Sequence, residues 1–193
     1  MSLATKNPFY TIGNVNDLVS SLKEQGKKIV VTQGVYDLLH IGHINYLQKA
    51  KDLGDCLIVG VDSDEYTKIR KGVHRPIVPQ DERIAMLLAL RAVDYVVIRE
   101  AADDKDDLVK IIKPDVLVIS NTTNDYPNFE ATIREKLSPY CGDIACFEPQ
   151  ATTSTTNRIR EIVQAGSIDA FVELGQDLGA VFKKHGILFK SEA

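Results

Sequence analysis

The sequence lacks the features that mark several classes of protein. Its three cysteines are odd in number, and none lies in a Cys-x-x-Cys pair, which disfavours a disulfide framework and a cysteine metal site. We expect Cys56, Cys141 and Cys146 to be buried structural thiols. No apolar run approaches the length of a membrane span, and the N-terminus lacks the basic and then apolar layout of a signal peptide. These absences predict a cytoplasmic protein with no membrane partner.

The sequence also lacks an excess of positive charge, internal repeats and low-complexity segments. The formal net charge of −4 argues against a nucleic-acid partner. Hydrophobic residues make up 44% of the 193 residues, which suffices for one well-packed domain, and the chain is short for two. An anionic substrate would therefore need a local cluster of basic residues.

What the sequence does contain is an alternation of apolar runs and amphipathic segments. The apolar runs predict strands at 28–33, 56–61, 94–98, 115–119 and 143–147. Helical spacing predicts helices at 14–26, 44–54, 81–92, 104–112, 127–137, from 154 onward, and 168–184. Continuous apolar strands alternating with helices are typical of a parallel sheet covered on both faces.

We therefore predict an α/β fold, a single Rossmann-like doubly wound domain with a five-stranded parallel sheet flanked by helices. The predicted divisions are an N-terminal helical lead-in at 1–27, the main domain at 28–165 and a C-terminal helical extension at 166–193. In such a fold, ligands bind at the carboxyl ends of the strands.

The most informative segment reads GVYDLLHIGH and follows the first predicted strand. A helix that begins there would offer free backbone N–H groups and the positive end of its dipole to a phosphate. Glycine lets the backbone approach a ligand, and two histidines three residues apart can each donate a ring N–H to a phosphate oxygen. A core-facing histidine pair is the alternative, but the whole pattern favours a nucleotide-phosphate site. Its candidate residues are Gly34, Val35, Tyr36, Asp37, His40, Gly42 and His43.

A second segment concentrates cations between two predicted elements of an otherwise acidic chain. Its glycine and proline predict a loop. Such charges usually form a solvated surface, but phosphoryl chemistry needs cationic clamps. Lys71, beside Gly72, is the strongest candidate, and Lys68 and Arg75 are candidates for the acceptor. Arg83, in the next helix, is either an exposed helix arginine or a further phosphate contact.

A third segment, Ser154, Thr155 and Thr156, opens a predicted amphipathic helix. A simple N-cap is the first interpretation of such a run. The same geometry presents hydroxyl and N–H groups to an anion, which would make the three residues a second phosphate contact.

Together, in this order, these segments resemble the cytidylyltransferase-like nucleotidyltransferase superfamily. More narrowly, the chain is similar to the adenylyltransferase domain of bacterial ADP-heptose synthase. The similarity runs from about Val15 to Ile162 and includes the strings GVYDLLHIGHINYLQKAKDLGD, KGVHRPIVPQDERIAMLLAL and TSTTNRIREI.

The resemblance implies an in-line transfer without a covalent enzyme intermediate. A phosphate oxygen of the acceptor attacks the α-phosphorus of ATP or CTP, and pyrophosphate leaves with the help of Mg²⁺. His40 and His43 would hold the triphosphate and stabilise the pentacoordinate transition state. Lys71 would neutralise either the phosphates or the acceptor, and Asp37 would order the loop or a water on the metal. The resemblance also implies that Ser154 and Thr155 contact the β- and γ-phosphates. No metal-binding residue is identified.

One departure from the family pattern leaves the substrates open. Residues 119–125 read Ile-Ser-Asn-Thr-Thr-Asn-Asp, where relatives carry a Lys-Gly-Gly-Asp-Tyr type of sequence. This loop shapes the base and acceptor side, so it leaves both the base and the sugar unassigned. The tail carries an apolar stripe that packs either on the core or on a second copy, as a homodimer, and consists of Phe171, Leu174, Leu178 and Phe182.

Three other functions compete with a sugar-phosphate nucleotidyltransferase. The first is a CTP-dependent cytidylyltransferase that acts on a polyol or alcohol phosphate such as glycerol 3-phosphate. The second is a catalytically silent nucleotide-binding module. The third is a relative of class I aminoacyl-tRNA synthetases, which also carry the two-histidine element. The short acidic chain without a Lys-Met-Ser-Lys-Ser segment argues against the third.

Overall fold

The central feature of the fold is a parallel sheet of six strands. A computed structural model describes residues 9–121, 129–150 and 159–167. The strands lie in the order β1-β4-β3-β2-β5-β6, and every neighbouring pair is parallel. Their bounds are β1 Phe9–Thr11, β2 Ile29–Gly34, β3 Cys56–Asp62, β4 Tyr95–Arg99, β5 Val116–Ser120 and β6 Asp143–Phe147.

Helices connect the strands and cover the sheet. They are α1 Asn16–Glu24, α2 Ile41–Lys51, α3 Asp64–Lys71, α4 Gln80–Leu88, α5 Asp107–Ile112 and α6 Phe129–Leu137, with short 3₁₀ turns at Ile12–Asn14 and Ser138–Tyr140. The predicted Rossmann-like α/β class is confirmed, but the prediction of five strands was wrong by one. The missing strand is β1, which has only three residues and pairs with β4 at the edge of the sheet.

The core lies on both faces of the sheet, as the alternation of side chains along β2 shows. Ile29 and Val31 face one cluster together with residues of α1 and α5, and Val30 faces another together with residues of α2 and α4. All three are fully buried. Burial on both faces explains why the strands are continuous apolar runs with no polar face.

The chain divides into two compact units, Met1–Thr152 and Thr153–Ala193. In the first unit, α1 packs into the core through Val19 and Leu22, and its N-cap residue Val15 is buried in the same cluster. In the second unit, the described residues 159–167 are helical. The boundaries predicted at residues 27 and 165 stay predictions. None of the helices in the described ranges has the length and apolar character that crossing a membrane requires.

The cysteines differ from the expectation in part. All three are free, and only Cys56 is buried, while Cys141 and Cys146 are partly exposed. Burial raises the pKa of the Cys56 thiol to about 12, so this thiol is an unreactive part of the core.

The segment after β3 also differs from the prediction. It was predicted as a loop, but Asp64–Lys71 forms α3, capped by the Ser63 hydroxyl, which accepts a hydrogen bond from the amide of Tyr66. The basic residues of this segment lie in the last turn of α3, where the negative end of the helix dipole stabilises them.

Strand β2 lies in the middle of the sheet, between β3 and β5. The chain therefore leaves the carboxyl end of β2 at the point where the strand order reverses, which is where ligands bind in doubly wound folds. The loop that follows, residues 35–40, leads directly into α2.

Candidate active site

The loop between β2 and α2 has a constrained backbone. Tyr36 and Leu38 have φ values of 55° and 45°, left-handed values that cost residues other than glycine on the order of 1–3 kcal/mol each. The side chain of Tyr36 is buried, and a Cβ at Gly34 would lie 3.3 Å from its ring. Burial raises the pKa of Tyr36 well above its usual value, so its hydroxyl stays protonated. Strain of this kind persists only where surrounding contacts hold it.

Asp37 supplies much of that support. Its carboxylate is buried and accepts hydrogen bonds from Nε of Arg75 at 2.8 Å and from the amides of Ile77 at 3.0 Å and Val78 at 2.9 Å. These bonds join the loop to the segment that follows α3. Asp37 therefore orders the loop, and Arg75 is partly committed to Asp37.

The two histidines lie together at the start of α2. His40 is the N-cap residue, and its Nδ1 accepts a hydrogen bond from the amide of Gly42 at 3.1 Å. The rings of His40 and His43 stack with centroids 3.9 Å apart and an angle of 28° between their planes. Because Nδ1 of His40 is an acceptor, its proton in the neutral ring is on Nε2, where it can be donated to an anion. The amide of Gly42 is committed to His40.

His43 is held in its neutral form. Burial, and next the neighbouring His40, lower its pKa to about 4, while Asp37 acts in the opposite direction. The ring of Tyr36 contacts it edge-on at a centroid distance of 5.6 Å. Nδ1 of His43 is buried, and it has no hydrogen-bond partner within the described ranges. The uncharged imidazole of His43 therefore stacks on the ring of His40, and ring N–H groups of this kind suit phosphate oxygens.

The predicted cations take different positions. Lys68 and Lys71 are exposed in the last turn of α3, which ends at Gly72 with a φ of 96°. Arg75 is three-quarters buried against Asp37. The structure thus joins Arg75 to the histidine loop through a direct bond, and it leaves the two lysines at the surface of α3.

Arg83 is not at the surface. Its side chain is fully buried, and its guanidinium donates to the carbonyl oxygens of Val35 at 2.5 Å and Asp62 at 2.9 Å, to the carbonyl of Val78 at 2.9 Å and to Oδ1 of Asp64 at 2.7 Å. Arg83 therefore holds these segments in position, and its predicted phosphate contact stays a prediction. One guanidinium holds the histidine loop, the end of β3 and the start of α4 together.

A buried ionic cluster that the sequence did not predict lies at the same edge of the sheet. Asp62, fully buried at the end of β3, accepts hydrogen bonds from Nη1 of Arg70 at 2.6 Å and Nη1 of Arg99 at 2.7 Å. The ring of Tyr66 lies 5.4 Å and 5.3 Å from the two guanidinium carbons. A charged residue ending each of two apolar strands, Asp62 and Arg99, was the available signal.

Several predicted site residues fall outside the described ranges. They are Ser154, Thr155 and Thr156, together with residues 122–125 of the divergent loop and the tail from 168. Of that loop, Asn121 is described, and its side-chain amide donates to Glu148 at 2.9 Å.

Comparison with known proteins agrees with this geometry. The cytidylyltransferase-like family model matches residues 31–162. The bifunctional protein HldE of a Nitratiruptor species is 46% identical over 145 residues, which cover 75% of this chain and 30% of that protein. HldE of Geobacter sulfurreducens is 38% identical over 148 residues, which cover 77% of this chain and 29% of that protein. The chain thus spans about 30% of the length of these relatives.

Two solved structures share the fold. The lipopolysaccharide core biosynthesis protein from Thermoplasma volcanium aligns with a TM-score of 0.55 and 30% identity over 64% of this chain and 98% of that one. Pantoate-beta-alanine ligase from Francisella tularensis, in complex with beta-gamma ATP and beta-alanine, aligns with a TM-score of 0.59 over 77% of this chain and 71% of that one. Its 18% identity supports the fold alone. With the stacked histidines at the predicted place, the chain belongs to the cytidylyltransferase-like family and is a nucleotidyltransferase.

Proposed function

We propose that this nucleotidyltransferase joins a nucleoside monophosphate from ATP or CTP to a sugar phosphate resembling heptose 1-phosphate, with release of pyrophosphate. The observation that carries the proposal is the stacked pair of His40 and His43 at the start of α2. An oxygen of the acceptor phosphate attacks the α-phosphorus, and the bond from that phosphorus to the bridging oxygen of pyrophosphate breaks. Catalysis then consists of positioning and charge stabilisation.

The residues divide this work between them. His40 and His43 donate ring N–H groups to the triphosphate, and His43 does so from its neutral form. Lys71 neutralises developing phosphate charge from the end of α3, and Lys68 and Arg75 face the acceptor. Ser154, Thr155 and Thr156 bind the β- and γ-phosphates. Loss of one such donor costs on the order of 10²–10³ in rate.

In the proposed reaction, Mg²⁺ would bind together with the nucleotide, through its phosphates. Within the described residues, no group of three His, Cys, Asp or Glu side chains is placed to hold a metal ion. Asp37, the acid of the histidine loop, accepts bonds from Arg75 and two backbone amides. Mg²⁺ commonly keeps several waters and binds through substrate phosphates with one or two carboxylates. It would supply charge neutralisation for the leaving pyrophosphate.

A sugar phosphate is the favoured acceptor because of the relatives. The similarity to the adenylyltransferase domain of ADP-heptose synthase and the name of the Thermoplasma volcanium protein both point towards sugar chemistry. The family description, cytidylyltransferase-like, favours a second candidate, a CTP-dependent transfer to a polyol or alcohol phosphate. The divergent residues 119–125 support a third, a silent nucleotide-binding module. Under the first two proposals the acceptor is a phosphate monoester, and a homodimer through the tail is a further proposal.

Pyrophosphate release across four nucleoside triphosphates and a panel of sugar and polyol phosphates tests the proposal. ATP with a sugar 1-phosphate is expected to give the highest kcat/KM. A preference for CTP with glycerol 3-phosphate would establish the second candidate instead. Tight nucleotide binding without pyrophosphate release for any pair would overturn the enzymatic proposal in favour of the binding module.

A further inference from the structure

Three hydroxyl groups meet at the carboxyl half of β2, next to the histidine loop. They belong to Tyr36 in the loop, Thr32 in β2 and Tyr46 in α2. The hydroxyl oxygens of Thr32 and Tyr46 are 2.8 Å apart, and Tyr36 forms a side-chain hydrogen bond with Thr32. The hydroxyl of Tyr46 also donates to the carbonyl oxygen of Val118 in β5 at 3.1 Å. Thr32 is fully buried, and Tyr36 belongs to the core cluster that contains Val30.

The directions of these hydrogen bonds follow from the number of protons. Burial raises the pKa of both tyrosines, so each phenol carries one proton near neutral pH. Tyr46 gives its proton to the carbonyl oxygen of Val118, because a carbonyl cannot donate, and it therefore accepts the proton of Thr32. Thr32 in turn accepts from Tyr36. These bonds, which we call the hydroxyl chain, thus run in one direction from Tyr36 to the carbonyl of Val118.

Gly34 gives the ring of Tyr36 the room to reach Thr32. Residues 32 and 34 lie on the same face of β2, because side chains alternate along a strand. A Cβ at Gly34 would lie 3.3 Å from Cε2 of Tyr36 and 3.6 Å from Cζ, the carbon that carries the hydroxyl. The ring therefore folds back over Gly34 in the direction of Thr32, which places its hydroxyl at the start of the chain.

The hydroxyl chain is connected to His43 at two points. The ring of Tyr36 contacts the ring of His43 edge-on, with centroids 5.6 Å apart and an angle of 60° between the planes. Tyr46 lies three residues after His43 in α2, so the two side chains share a face of the helix. The contacts form a closed circuit, from Thr32 through Tyr36, His43 and Tyr46 back to Thr32. His43 is thus held between two residues of the chain.

A chain of hydroxyl groups in an apolar core favours one geometry. A buried hydroxyl without a partner is unfavourable, whereas a fully bonded network favours a single arrangement of its side chains. Loss of the Thr32 hydroxyl would leave the Tyr36 hydroxyl without its acceptor. Tyr36 would then recover a hydrogen bond by turning towards water, and its ring would no longer cover His43.

We propose that Thr32 and Tyr46 are positioning residues for nucleotidyl transfer, because the hydroxyl chain holds the ring of Tyr36 against His43 and so fixes the imidazole that donates to the triphosphate. This inference rests on the proposed function, since it concerns a histidine of that site. Thr32 and Tyr46 act through His43 and take no part in bond breaking.

The test replaces Thr32 by its two nearest analogues in the full chain. Thr32→Val keeps the shape of the side chain without the hydroxyl, whereas Thr32→Ser keeps the hydroxyl without the methyl group. NMR titration of the imidazole C–H signals, assigned by their absence in His43→Ala, measures the pKa of His43, and pyrophosphate release measures kcat. In Thr32→Val we expect this pKa to rise from about 4 to above about 5, because water reaches the ring, and kcat to fall about tenfold to a hundredfold. Thr32→Ser should keep both wild-type values.

Tyr46→Phe interrupts the chain at its next member and is the second variant. It should change the pKa of His43 and kcat in the same directions as Thr32→Val, and it carries the test if Thr32→Val fails to fold by circular dichroism. Tyr95→Phe is the matched control, because Tyr95 is a partly buried tyrosine at the amino end of β4 that packs against the other core cluster. It should leave both values unchanged.

The proposal is overturned if Thr32→Val and Tyr46→Phe lower only the Tm and leave kcat and the titration of His43 as in the wild type, which is the result of a purely structural role. Equal losses in Thr32→Ser and Thr32→Val would also overturn it, because packing rather than the hydroxyl would then be responsible. If the wild type releases no pyrophosphate with any substrate pair, the proposed function fails instead. The NMR titration then still decides whether the hydroxyl chain positions His43.

Discussion

Oδ2 of Asp37 lies 2.8 Å from Nε of Arg75, and this ion pair joins the loop before α2 to the segment after α3. The carboxylate is almost fully buried and also accepts two backbone amides of that segment. It lies between Tyr36 and Leu38, the two residues with left-handed backbone angles. A single side chain thus holds both the strained loop and the chain that leads to α4.

Asp37→Asn should therefore destabilise the protein by about 3 kcal/mol, because removing the charge leaves the partly buried Arg75 guanidinium without its carboxylate. Urea unfolding of the variant and the wild type measures this difference. The control is Asp52→Asn at the exposed end of α2, which should change the free energy of unfolding by less than about 0.5 kcal/mol. Equal effects of the two substitutions would contradict the role assigned to Asp37.

His43→Ala should abolish nucleotidyl transfer while the protein stays folded. The substitution removes one of two stacked phosphate donors, and we expect a rate loss on the order of at least 10²–10³. Turnover is measured by pyrophosphate release and folding by circular dichroism. His74→Ala is the control, since His74 is an exposed histidine between α3 and α4. Near-normal turnover of His43→Ala would refute the assignment.

The lowered pKa of His43 also predicts a pH dependence of stability. Unfolding returns the pKa of His43 from about 4 to its ordinary value of 6.5. Between these two pH values the unfolded chain therefore binds a proton that the folded chain does not bind. The contribution of neutral His43 is fully present above pH 6.5 and is lost as the pH falls towards 4, by about 3 kcal/mol in total.

Urea unfolding of wild type and His43→Ala at several pH values isolates this contribution. The difference in unfolding free energy between the two proteins should shrink as the pH falls from about 7.5 to about 4.5, because only the wild type takes up this proton on unfolding. All other titrating groups are common to both proteins. A constant difference over this range would show that His43 is not held neutral by the fold.

Gly60→Ala tests the packing beneath the ionic cluster. A Cβ at this position in β3 would lie 2.4 Å from Cδ2 of the buried Leu108 and 3.0 Å from Cδ of Arg99, so both would have to move. We expect a loss of about 1–3 kcal/mol in urea unfolding. Gly166→Ala is the control, because a Cβ there meets nothing within 4 Å and alanine favours a helix. An unchanged free energy of unfolding in Gly60→Ala would contradict this packing.

The sequence predicted the elements whose pattern is local. The buried strands are continuous apolar runs, and the histidine loop and α2 follow from a motif and a helical period. Strand β1 was not predicted because its three residues, Phe9 to Thr11, are too few to show a periodicity. Helix α3 escaped because its composition is strongly polar and Gly72 and Pro76 suggested a loop.

The contacts that organise the site could not be predicted in the same way. Arg83 appeared to be an ordinary helix arginine because its acceptors, among them Val35 and Asp62, come from separate parts of the chain. Only the order of strands brings the ends of β3 and β4 together, so the pairing of Asp62 with Arg99 depends on topology. The residue types indicated a phosphate-binding site, but the order of the strands determines which charged side chains form ion pairs.

The edge strand β1 has a consequence for how the protein is made. Phe9 pairs with Val96, so β1 cannot join the sheet until the ribosome has released the whole of β4. The β2 and β3 pair, which carries the histidine loop, can form from residues 29–62 well before that. Strand β1 is thus synthesised before its partner and remains unpaired until β4 follows, whereas β2 and β3 can already pair.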